Sequence, residues 1–126
     1  MRYRGPFSSH NGPFFERRVE EGAEHAFFIL PRHCNQLSII HGGMLSAFMD
    51  GLLAAAVARI ARMPIVTIHL SMDYLAMARG GDWVTGVSRV TRMTRDVAFV
   101  EGVARVRERE LVRATAIFKL MRKRSE

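Results

Sequence analysis

Cysteine is almost absent: Cys34 is the only one in 126 residues. An internal disulfide is therefore excluded, and a reducing compartment is expected, with the cytoplasm as the default location. Acidic residues are scarce, 12 against 19 lysines and arginines, which leaves a formal net charge of +7. That sign suits nucleic acid, anionic lipid or a phosphate-bearing ligand, and does not choose among them. Residues 1–12 lack an apolar run, so no signal peptide is expected. The longest apolar stretch, around Met44 to Val57, carries Asp50 and is short for a bilayer span. His10, His25, His33 and His69 have no metal-ligand spacing with carboxylates or with Cys34, so no metal is expected. Neither a repeat nor a linker interrupts the chain, which fits one domain over residues 1–126. The hydrophobic share, 48%, is enough for such a domain to bury a core without staples.

Local pattern divides the chain in two. The first dozen residues, rich in Gly, Pro, Ser and Asn, read as an irregular lead-in. A strand is expected at His25 to Leu30, and a connection from Pro31 to Ser38. From His41 to about Arg62 the composition predicts one long helix, which Pro64 stops. Beyond it the period becomes that of strands: Ile65 to Ala78, Trp83 to Thr94, Val97 to Arg107 and Leu111 to Arg122. The turns fall at Arg79-Gly80-Gly81-Asp82, Arg95-Asp96 and Arg107-Glu108-Arg109-Glu110. Gly80-Gly81 reads as a hairpin turn and not as a phosphate cradle. The fold class is α+β: a meander of about four antiparallel strands with one helix on the concave face of the sheet.

The helix carries the chemistry. On a wheel of about 100° per residue, Leu45, Met49, Leu52, Leu53, Ala56 and Ile60 fall on one side. Ser46, Ala47, Gly51, Ala54, Ala55, Ala58 and Ala61 fall on the other. A helix that is apolar or small all round is expected to be buried all round. Asp50 lies within the small side, where another backbone or a ligand can come close. A carboxylate there needs a partner or a function. It sits roughly two turns after a helix start of the form His41-Gly42-Gly43. Those glycines leave the first backbone N–H groups unshielded, and a helix N-terminus supplies unpaired donors with partial positive charge. A carboxylate near such donors suits acyl transfer to water.

Asn35, then His41-Gly42-Gly43-Met44 after five residues, then Asp50 after five more, resembles the signature of hotdog-fold acyl-CoA thioesterases of the phenylacetyl-CoA and hydroxybenzoyl-CoA type. Asn11 to Arg18, Ala98 to Gly102 and Ala114 to Lys119 extend the resemblance over roughly residues 11 to 120. It implies an antiparallel sheet wrapped around one long central helix. It also implies a homodimer or a dimer of dimers with the active site between subunits. Asp50 would be nucleophile or general base, and the Gly42 N–H would polarise the thioester carbonyl. Asn35 would hold the carbonyl or the water, His41 would orient the thioester, and the Thr67 hydroxyl would assist the carboxylate. Asp50 and Thr67 would come from one subunit, Asn35 and Gly42 from the other. The chain departs from the pattern at Ser38, where glycine is frequent, at the bulky Ile39-Ile40, and in the turn Thr94-Arg95-Asp96-Val97.

The other candidates are weaker. Gly43 and Met44 continue the ligand-facing helix start, and Met44, Met72 and Met77 suit an adaptable acyl pocket. Arg92, Arg95, Lys119 and the tail Arg122-Lys123-Arg124 are candidates for the phosphates of coenzyme A. Cys34 reads as a small packed side chain and Trp83 as interface packing. The expected reaction is hydrolysis of an acyl-CoA to the free acid and CoA, with no cofactor beyond the CoA of the substrate and no nucleic-acid or membrane partner. The alternatives are a non-catalytic hotdog protein that binds acyl-CoA as sensor or carrier, a hydratase on the same fold, and a basic nucleic-acid module.

Overall fold

The computed structural model describes residues 5–19 and 22–122. A short helix α1 (Pro6–Asn11) leads into strands β1 (Phe15–Val19) and β2 (Gly22–Phe28). A 3-10 turn, Pro31–His33, opens the loop before helix α2 (Gly42–Ala61). Strands β3 (Ile65–Tyr74), β4 (Trp83–Met93), β5 (Val97–Val106) and β6 (Arg109–Leu120) follow. The strands form one six-stranded sheet in the order β1-β2-β4-β5-β6-β3. Every pairing is antiparallel.

Helix α2 begins and ends for local reasons. His41 caps its start, its Nδ1 accepting from the Gly43 N–H at 2.9 Å. Arg62 takes the left-handed conformation at its end (φ 53°) and donates its N–H to the Ala58 carbonyl. Between them Leu45, Phe48, Met49, Leu52, Leu53 and Val57 are buried against the sheet. By length and composition α2 could cross a bilayer, but this bulky face packs as a core. The sheet answers with small residues where the helix comes nearest. A Cβ on Gly86 would lie 2.6 Å from Leu52 Cδ2, and one on Gly102 3.0 Å from Leu53 Cδ2. Glycine at these positions is what lets the sheet close around the helix.

Several expectations need correcting. The lead-in holds a six-residue helix, and β1 was not anticipated. The β2 strand covers Gly22–Phe28 and not His25 to Leu30. The four later strands are not a simple meander: β3 pairs with β6 at the far edge, while β4, β5 and β6 are consecutive. The turn at Arg79–Asp82 exists, held by Asp82 N–H to the Arg79 carbonyl at 3.1 Å, but it lies in a crossing segment and not in a hairpin. That segment, residues 75–82, spans about 15 Å of sheet width, well within its extended reach. The β5–β6 turn is tighter than expected, because Val106 already pairs with Arg109.

Nor is α2 buried all round. One curved sheet covers one side of a helix, so the side bearing Gly51 and Ala58 stays open in the single chain. Ile60, expected on the bulky side, is 60% exposed in the last turn.

Candidate active site

Asp50 meets the strand that follows its helix. Thr67 Oγ1 on β3 donates to Asp50 Oδ1 at 2.8 Å. The other carboxylate oxygen has no hydrogen-bond partner among the described residues. A β-bulge sets up the rest of β3. The register with β6 shifts between Thr67 and His69, leaving Ile68 as the extra residue. Thr67 therefore faces the helix together with Leu70, Met72 and Tyr74, whose β6 partners Ala116, Ala114 and Val112 are buried. Val66 and Ile68 are left 48% and 54% exposed on the edge of the sheet.

A cavity of about 1130 Å³ runs over the small side of α2. Ala47, Asp50, Gly51, Ala54 and Ala58 of the helix line it. One wall comes from β1 and β2 and is polar. There Glu16 and His25 sit opposite each other in register, with Glu16 Oε2 3.1 Å from His25 Nε2. Arg17, Arg18 and Arg59 also line it. A carboxylate with an open oxygen, beside a cavity of this size that carries cations, fits proton transfer on a bound anionic ligand.

The start of α2 holds the second half of the chemistry. The Gly43 N–H is taken by His41, and the His41 carbonyl accepts from Met44 at 2.9 Å. The Gly42 N–H has no hydrogen-bond partner among the described residues. The two glycines have different reasons. A Cβ on Gly43 would sit 3.0 Å from the capping Nδ1 and push the imidazole away. A Cβ on Gly42 would meet nothing nearer than a Tyr74 ring carbon at 3.6 Å, so packing inside the chain does not demand glycine there. Asn35 lies in the loop ahead, exposed, its Oδ1 accepting from Leu37 and Ile39 N–H at 2.9 and 3.3 Å. Ser38 has φ 62°, the left-handed region that glycine adopts without cost. This loop is pinned from below by buried His33, whose carbonyl accepts from His41 N–H at 2.9 Å.

A family model described as the thioesterase superfamily matches residues 37–113, from the loop before α2 into β6. The chain belongs to the thioesterase superfamily. It is 36% identical over 112 residues to a Pseudomonas aeruginosa protein named "Putative esterase PA0474", covering 86% of this chain and 84% of that protein. Its fold is the hotdog fold, shared with solved structures of low identity. One is a mutant of the phenylacetic acid degradation protein PaaI from Thermus thermophilus: 22% identity, TM-score 0.83, 93% of this chain and 100% of that one. Another is the BH2602 protein of Bacillus halodurans, solved with CoA: 23% identity, TM-score 0.83, 98% of this chain and 83% of that one.

In this thioesterase-superfamily chain the anticipated residues fall into two groups. Asp50 and Thr67 are together; Asn35, His41, Gly42 and Gly43 are together at the helix start, about 12 Å up the axis from Asp50. Met44 is buried in the core, and Met72 packs against it. Arg92 and Arg95 lie by the β4–β5 turn and do not line the cavity. Of the expected basic tail, Lys123 and Arg124 lie outside the described residues. Cys34 is half-buried, its Sγ 3.5 Å from the Leu30 carbonyl. Among the described residues no cluster of three or more His, Cys, Asp or Glu side chains is placed to hold a metal. Tyr74, Ser46 and the Glu16–His25 pair were not anticipated. The first two needed the packing of β3 against the start of α2 to be known, and the last needed β1.

Proposed function

We propose that the protein hydrolyses an acyl-CoA thioester to the free acid and CoA, with Asp50 as the catalytic carboxylate. The observation that carries this reading is the Thr67–Asp50 hydrogen bond at an Asp50 that lines a large cavity, with one carboxylate oxygen left open among the described residues. Thr67 fixes the carboxylate and the open oxygen acts. As general base it takes a proton from water as that water attacks the thioester carbon; as nucleophile it attacks the carbon itself, and water then hydrolyses the resulting mixed anhydride to the free acid and Asp50. In both routes the sulfur leaves with the electrons of the C–S bond, and negative charge gathers on the carbonyl oxygen. A free backbone N–H stabilises that charge, and Gly42 has one.

The Gly42 of the same chain is about 12 Å from Asp50, too far to touch the same carbonyl. A second copy is the source this reading assigns, with its Gly42, His41 and Asn35 facing the first copy's Asp50 and Thr67. The edge of the sheet supports pairing of copies. Strand β3 is ten residues long, lies at the edge and exposes Val66 and Ile68, whereas the other edge strand is a five-residue segment with two arginines. A long apolar edge is a site for strand pairing. Of the arginines that line the cavity, Arg17 is paired with Glu24 at 2.8 Å, and Arg18 and Arg59 are cations suited to the phosphates of CoA. The proposed unit is thus a cytoplasmic homo-oligomer that requires no cofactor.

A thiol-release assay over short-chain, medium-chain and aromatic acyl-CoAs tests the reading. Wild type is expected to turn over at least one ester, with kcat lowered about 10²- to 10⁴-fold in Asp50→Asn. If no ester is hydrolysed faster by wild type than by Asp50→Asn, the proposal fails.

A further inference from the structure

Strand β3 touches α2 at a second place. Tyr74 Oη donates to the Gly42 carbonyl at 3.3 Å and shares a further hydrogen bond with Ser46 Oγ. A phenol has one proton and a carbonyl can only accept, so Tyr74 O–H points at Gly42 and Ser46 O–H donates to Tyr74. The Tyr74 ring also lies beside Gly42, 3.6 Å from where a Cβ would be. Thr67 and Tyr74 are an odd number of residues apart, so a regular strand would send them to opposite faces. The bulge at Ile68 turns both toward the helix.

Two adjacent glycines have wide intrinsic backbone freedom. Here the peptide unit that joins them is held at both of its ends, and the unit before it is held through the His41 carbonyl, which accepts from Met44 N–H at 2.9 Å. The Gly43 N–H is held by His41 at 2.9 Å, and the Gly42 carbonyl by Tyr74. The Gly42 N–H alone keeps no partner among the described residues. We infer that Tyr74 is a positioning residue: it holds the peptide unit after Gly42 while Met44 and Leu45 hold the unit before it through the His41 carbonyl, so that the Gly42 torsions are fixed and its N–H stays aimed at the thioester carbonyl. The catalytic half of this inference rests on the thioesterase reading above; the geometric half does not. A donor already in place loses nothing to reorganisation when charge develops on the carbonyl oxygen. Because Gly42 and Asp50 of one chain are about 12 Å apart, a single strand then serves two sites. Its Thr67 braces the acid of one, and its Tyr74 braces the donor of the other.

Tyr74→Phe keeps the ring and removes the hydroxyl; Ser46→Ala removes only the second hydrogen bond. In protein labelled with ¹⁵N-glycine, the Gly42 and Gly43 amide resonances, assigned by substitution, are expected to shift or broaden in Tyr74→Phe. Those of Gly86 and Gly102 stay in place. With an ester that wild type hydrolyses, kcat of Tyr74→Phe falls about tenfold, the loss of one hydrogen bond. KM stays within about twofold and the melting temperature changes little, a split that a merely structural role does not produce. Ser46→Ala moves kcat the same way by less. Unchanged Gly42 and Gly43 resonances overturn the inference whatever the activity. Shifted resonances with unchanged kcat overturn its catalytic half and leave the thioesterase reading standing. Absence of turnover by wild type removes that reading and the catalytic half together, while the resonances still decide the geometric one.

Discussion

Gly42 is the first residue of α2, and the capping His41 before it has φ −70° and ψ 134°. Proline is well suited to the first helical position, because its fixed φ matches the helix and its missing N–H has no helical partner to lose. The residue before a proline is pushed to extended ψ, which His41 already has. The Gly42 N–H bonds to nothing among the described residues, and a Cβ there meets only a Tyr74 ring carbon at ordinary contact, 3.6 Å. Gly42→Pro is therefore expected to raise stability by about 0.4–1 kcal/mol, by narrowing the unfolded ensemble. For a domain of this size that is a rise in melting temperature of roughly 2–6 °C. The same change deletes the proposed oxyanion donor, so kcat should fall about 10²- to 10³-fold. Thermal melting and thiol release on the same preparation read both effects. Wild-type kcat in a stably folded Gly42→Pro protein refutes the assignment of this N–H. A mixing experiment extends the test. Co-expressed Asp50→Asn and Gly42→Pro chains each lack one half of a shared site, and a mixed pair regains one intact site of two. Random pairing then returns about a quarter of wild-type activity from two inactive parents. No recovery in verified mixed pairs refutes a site shared between chains.

The remaining predictions concern the supports of the site and of the sheet. Thr67→Val keeps the shape but removes the donor to Asp50, and should lower kcat about tenfold with little change in melting temperature; an unchanged kcat shows that the hydroxyl is idle. Ser38→Gly should raise stability by about 1 kcal/mol by relieving a left-handed serine, read as a higher urea midpoint at constant slope, whereas Ser38→Ala should not. The Glu110 carboxyl is held below the usual glutamate range, first by the hydrogen bond from Arg113, then by the charges of Arg113 and Arg105 and a hydrogen bond from Arg105. Its stabilisation is present above the ordinary glutamate pKa and is lost as pH falls through the lowered value. Glu110→Gln should thus melt slightly below wild type near neutral pH, with the gap closing below about pH 4. A gap that persists in acid contradicts the cause given.

Much of the fold was legible because its causes are local. The helix expected from His41 to about Arg62 is Gly42–Ala61, since its small and apolar composition and Pro64 act within a few residues. The strands β4 and β5 match the expected alternation to within a residue or so. Strand β1 was not legible: Phe-Glu-Arg-Arg-Val has no inward apolar row, and its inward Glu16 is answered by His25 on the neighbouring strand. The β3 sequence was misleading in detail. Val66, Ile68, Leu70, Met72 and Tyr74 alternate cleanly, which would put Thr67 on the opposite face from Leu70. The bulge reverses the phase at Ile68 and places Thr67 against Asp50. No local signal in the sequence marks that extra residue. Tyr74 falls on the helix-facing side by simple alternation with Leu70 and Met72, but its contact with Gly42 and Ser46 depends on how β3 lies across α2.

By itself the sequence determined a long helix, a carboxylate on its small side, and a glycine start about two turns before it, because helical geometry follows from consecutive residues. The family signature added which residues to examine. The tertiary structure decided what those residues touch. It put β3 beside β6 and not beside β4, turned Thr67 and Tyr74 to the same face, left the Gly42 N–H without a partner among the described residues, and lined the cavity with Arg17, Arg18 and Arg59. The physical reason is that strand neighbours and bulges are set by hydrogen bonds and packing between residues far apart in the chain. A single extra residue moves every later side chain to the other face.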